Sequence, residues 1–149
     1  MKRNWYNNEV VVSATLDPAV RTADANATGV DGRGYASVIH QVHMGASGDT
    51  LSGSVYVEYE LEHSDDNSSW SDCADTDLQN PDTGESGAVT GNNTGTFAKV
   101  DDAAEDSTLL AIRYVGTKRY SRVVVNVTGT HTNGFPVGAV ALRSGAGAV

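Results

Sequence analysis

The chain has 149 residues, enough for one domain that buries about 70% of its unfolded surface without covalent staples. Its net charge of −9 argues against nucleic acid and anionic membrane as partners, because both would repel it. Abundant Gly, Thr, Ser, Val, Asn and Asp, with little Leu, Lys or Met, suit short strands joined by polar turns and disfavour long helices.

The single cysteine, Cys73, rules out an intramolecular disulfide and points to assembly in a reducing cytoplasm. The first residues, MKRNWYNNEVVVSA, lack the apolar run of a signal peptide, and no stretch approaches the roughly 20 apolar residues that span a bilayer. The Asn-x-Ser/Thr sequons beginning at Asn26, Asn67, Asn92 and Asn126 follow from composition. Charge is distributed unevenly. Residues 45–106 carry fifteen acids against the single Lys99, whereas residues 107–149 carry five Lys or Arg and no acid.

In chain order, Val10–Ala14 predicts a first strand and the Ala-, Asp- and Gly-rich residues 15–33 an extended arm or loop, and the whole segment from about Met1 to Arg33 is expected to order only against a neighbour. Tyr35–Met44 predicts a strand with Ala36, Val38, His40, Val42 and Met44 on one face. After a turn on Gly45 and Gly48, residues 55–62 alternate without a break. Val55, Val57, Tyr59 and Leu61 take one face; Tyr56, Glu58, Glu60 and Glu62 take the other. Residues 63–95 are polar and turn-rich, with Trp70 anchoring them to the core. Thr96–Val100 predicts a strand and Asp101–Asp106 a loop or single helical turn. The last third predicts a meander: Leu109–Val115, a basic turn, Tyr120–Thr130, an Asn133-Gly134 hairpin and Val137–Arg143. The expected organisation is a strand and extended arm over 1–34, an all-β sandwich or jelly roll of about seven or eight antiparallel strands over 35–143, and a flexible tail over 144–149.

Catalytic and metal signals are sparse. His40 and His43 fall on opposite faces of one strand, and His63 and His131 stand apart in sequence. Cys73 lies between Asp72 and Asp75, which disfavour a thiolate. Asp75, Asp77 and Asp82, or Asp65 and Asp66, could offer oxygens to Ca²⁺, but the spacing departs from an EF-hand. Glu58 and Glu60 share a face with Glu62 and read as a solvated surface rather than a glycosidase pair. Neither catalytic residues nor a metal or cofactor are expected.

The segment Ser47–Trp70 (SGDTLSGSVYVEYELEHSDDNSSW) resembles small virion proteins of tailed phages and gene transfer agents. So do Tyr114–Val125 (YVGTKRYSRVVV), Gly129–Gly134 (GTHTNG) and Pro136–Val140 (PVGAV). That group includes head decoration (cement) proteins and head-spike bases. The resemblance implies a non-enzymatic structural protein on the outer surface of the capsid, with the major capsid protein as partner, assembled in the host cytoplasm. Weak individual contacts would call for avidity from a homo-oligomer, a trimer in the decoration reading or a pentamer for a spike base. Other head or tail components and a glycan-binding sandwich are the alternatives. The expected contact with an acidic partner is the basic turn Lys118-Arg119, with Arg122 shortly after it.

Overall fold

A computed structural model of the chain describes residues 10–89 and 93–145. Two antiparallel sheets pack face to face around a single main core, the arrangement of a β-sandwich. Seven strands are five residues or longer: β1 (Val10–Arg21), β4 (Ser37–Met44), β5 (Tyr56–Ser64), β8 (Thr96–Val100), β9 (Thr108–Tyr114), β10 (Tyr120–Thr128) and β11 (Phe135–Ser144). Four two-residue strands supplement them: β2 (Ala25–Asn26), β3 (Val30–Asp31), β6 (Ser71–Asp72) and β7 (Leu78–Gln79). The first sheet runs β1-β11-β4-β9-β7. The second is built on the β10-β5 pair, with β2 and β3 on the free side of β10 and β6 and β8 on the free side of β5.

The core is made by the alternation visible in the sequence. Val57, Tyr59 and Leu61 of β5 and Val123 and Val125 of β10 face Val42 and Met44 of β4, Ile112 and Tyr114 of β9, and Phe135, Val137 and Ala139 of β11. His40, also on the inward face of β4, is fully buried and bonds across the sheets to the Ser121 hydroxyl of β10 at 2.8 Å. His43 points outwards and is exposed, as strand periodicity requires.

Two expectations are corrected. Residues 15–33 are not an arm. β1 continues to Arg21 along β11, Leu16, Ala27 and Val30 are buried, and β2 and β3 pair with β10. The Asp17-Pro18 pair that interrupts the pattern sits in a register shift of β1, an edge strand where a proline's missing N–H breaks no ladder bond. Residues 1–9 and the tail residues 146–149 lie outside the described part.

Nor is the last third a meander. β9 and β11 belong to one sheet and β10 to the other, so both connections cross between sheets. A two-residue type I′ hairpin needs positive φ at both central residues, and of Asn133-Gly134 only Gly134 (φ 73°) has it. Instead the Asp49 carboxylate, on the β4–β5 connection, accepts the backbone N–H groups of Thr132, Asn133 and Gly134. These bonds hold the Asp49 carboxyl below the usual range and tie two inter-sheet connections together.

Candidate functional site

The basic residues come first. Arg119 Nε and Nη2 donate to the two oxygens of Asp31 at 3.1 and 2.6 Å, and the guanidinium lies over the Tyr120 ring. This pairing holds the Asp31 carboxyl low and the Arg119 pKa high. Arg122 Nε donates to Glu62 at 2.7 Å across the β10–β5 ladder and stacks on Trp70. Lys118 Nζ donates to the Ser71 hydroxyl at 2.8 Å and has no carboxylate within ion-pair distance among the described residues. The three cluster at one end of the sandwich, and Lys118 and Arg119 line an open cleft of about 550 Å³ with Tyr35, Asp65 and Tyr114. Both arginine charges are matched inside the chain. Of the cations lining this cleft, Lys118 and the exposed Arg33 make no ion pair among the described residues.

The two outer faces differ sharply. On the β10-β5 sheet the outward positions include Glu58, Glu60, Glu62, Tyr56, Arg122 and Asn126, and Lys99 of β8 sits opposite Glu58. Lys99 also lies over the Tyr56 ring and pairs with Asp101 at 2.8 Å. Partial burial, joined by repulsion from Asp72, Glu58 and Glu62, raises the Glu60 pKa. This is a charged face whose side chains partly cover one another: the named positions are half-buried, and Val124, opposite Glu60, is buried.

The outer face of the other sheet is apolar. Its register aligns Val12, Leu142, Ile39 and Arg113 in one row. Ala14, Val140, Gln41 and Ala111 form the next row, and Gly138, His43 and Leu109 the one after. No Asp or Glu stands in these rows, and their one fixed charge, Arg113, donates to the Gln79 side chain at 3.1 Å. Val12 and Leu109 are 62% and 63% exposed. An antiparallel sheet whose outer side met only water would carry polar residues there. This contiguous apolar face, on a chain of net charge −9, is the candidate interaction surface. The sequence signal for it was present: β9 (TLLAIRY) and β11 (FPVGAVALRS) are apolar on both faces, unlike β5.

The proposed calcium ligands do not converge. Asp75 exchanges bonds with Asn93, and Asp66 accepts from Ser64, Ser68 and Ser69, which drives its carboxyl far below the usual range. Asp82 lies in a turn formed on the Asn80 side chain. Asp77 instead faces His63 and Cys73, and these three donor atoms lie within 4.8 Å of one another. Tyr114 Oη stands 3.0 Å from His63 Nδ1.

No protein-family model and no curated protein matches the chain.

Proposed function

We propose that the chain is a structural, non-catalytic virion protein, a decoration (cement) protein that lies on the outer surface of a phage-type head and bridges copies of the major capsid protein. The observation that carries this reading is the pair of unlike outer faces: one apolar and free of acids, the other charged. A protein with that division docks by the first face and presents the second to solvent. The resemblance of residues 47–70, 114–125, 129–134 and 136–140 to small virion proteins supplies the partner.

The size of the face bears on how it works. Four strands about 4.8 Å apart, with about six residues each at about 3.3 Å, give roughly 400 Å². A stable interface takes about 800 Å² from each partner, so one copy alone adheres weakly. A homotrimer engaging the lattice through several such faces gains the missing affinity as avidity. The test is co-sedimentation of the purified chain with undecorated phage-type heads. A pentamer confined to the vertices would favour a head-spike base instead.

A further inference from the structure

We propose that His63, Cys73 and Asp77, with the hydroxyl of Tyr114 beside them, form a site for a thiophilic divalent cation of the zinc class. The donors come from three places that the fold brings together. His63 is on β5, Cys73 follows β6, and Asp77 ends the short 3-10 turn before β7. β6 belongs to one sheet and β7 to the other, so residues 71–79 cross the edge of the sandwich. An ion held here would clip that crossing to β5.

The geometry is close to what the ion needs. Zinc bonds of about 2.3 Å to sulfur and about 2.0–2.1 Å to nitrogen or oxygen place tetrahedral donors roughly 3.3–3.6 Å apart. His63 Nδ1 and Asp77 Oδ2 are already 3.7 Å apart. A nitrogen, a thiol sulfur and one carboxylate suit zinc and exclude magnesium or calcium, which take all-oxygen shells. The Tyr114 oxygen or a water supplies the fourth position.

The protonation states also agree. The Lys118 backbone N–H donates to Tyr114 Oη, which is also hydrogen-bonded to His63 Nδ1. In the Nε2–H tautomer Nδ1 presents its lone pair to the cluster, and an ion bound there replaces the hydrogen bond to Tyr114. Cys73 is wholly buried and its thiol makes no hydrogen bond among the described residues. Burial and the charges of Asp77 and Asp72 push that thiol pKa up. A bound dication reverses this: the sulfur–hydrogen bond breaks, the proton leaves to solvent and a metal–thiolate bond forms. His63 and Asp77 are partly exposed and give the ion its way in.

Titrating the metal-free full chain with Co²⁺ tests the site. The expected result is one equivalent bound, with visible bands of tetrahedral cobalt and a near-ultraviolet thiolate-to-cobalt band, both displaced by Zn²⁺. Because Cys73 is the sole cysteine, that charge-transfer band can have no other origin. His63→Gln and Asp77→Asn should each weaken binding by about tenfold or more. Zn²⁺ should raise the Tm of the wild-type chain and not that of Cys73→Ser. Absence of the thiolate band in the wild-type chain, or an equal Zn²⁺ shift in Cys73→Ser, would overturn the proposal.

Discussion

His40 lies wholly buried between the sheets, with Nε2 on the Ser121 hydroxyl and Nδ1 without a partner among the described residues. Burial lowers its pKa from 6.5 to about 4. The folded state therefore binds fewer protons than the unfolded chain between those values. The stability tied to neutral His40 is complete above pH 6.5 and is lost as the pH falls towards 4, where the loss levels off. A displacement of about 2.5 units at 1.36 kcal/mol each amounts to roughly 3 kcal/mol, a large fraction of a domain's total of about 5–15 kcal/mol. His40→Gln keeps a donor for Ser121 and stays neutral at every pH. Urea unfolding of both proteins from pH 8 to pH 4 isolates the effect, because the other titrating groups are common to the two and cancel in the difference. The variant should be modestly less stable at pH 7. Its stability relative to the wild-type chain should then rise by up to about 1.4 kcal/mol per pH unit below 6.5. Parallel curves would refute the reasoning and mean that the imidazole charges without leaving a favourable environment.

Tyr59 is fully buried and its hydroxyl has no hydrogen-bond partner among the described residues, so Tyr59→Phe should raise stability by up to about 1 kcal/mol in urea unfolding; a loss would show that the hydroxyl is satisfied. Arg122→Glu sets two carboxylates against each other at the largely buried Glu62 position and removes the stack on Trp70. It should cost about 2–4 kcal/mol, measured by the same unfolding assay. Lys118→Glu, which breaks no ion pair, should stay within about 0.5 kcal/mol of the wild-type chain.

How far the sequence could be read depended on whether local pattern or distant pairing decided the structure. β5 was legible because eight residues alternate without a break, and β8 emerged with the expected ends, Thr96 and Val100. β1 was legible only to Ala14, since two register shifts and Pro18 destroy the period while pairing to β11 continues. The short strands β2, β3, β6 and β7 have no pattern of their own; their neighbours make them strands. The crossing at Gly134 looked like a hairpin because the Asp49 carboxylate that organises it lies 85 residues away in the chain. The cluster at Cys73 was concealed for another reason: its members are close in sequence, but the crossing between sheets, and not a spacing motif, turns them together. The sequence neighbours of Cys73 are Asp72 and Asp75, but the groups it meets are His63 and Asp77. Arg119 and Arg122 looked free because their partners Asp31 and Glu62 are 88 and 60 residues distant. The apolar outer face was the part most open to a sequence reading, through the unbroken apolar runs of β9 and β11.

The central claim is that the apolar face of the β1-β11-β4-β9 sheet docks this protein on a capsid. Val12 and Leu109 project from that face and are mostly exposed, so Val12→Glu with Leu109→Glu should leave the fold and its Tm nearly unchanged. Co-sedimentation with undecorated heads, run for the wild-type chain, this double variant and a Glu58→Gln control on the opposite face, is the direct measurement. The wild-type chain and the control should pellet with heads, and the double variant should stay in the supernatant. A wild-type chain that fails to pellet, or a double variant that pellets as well as the wild type, would contradict the account.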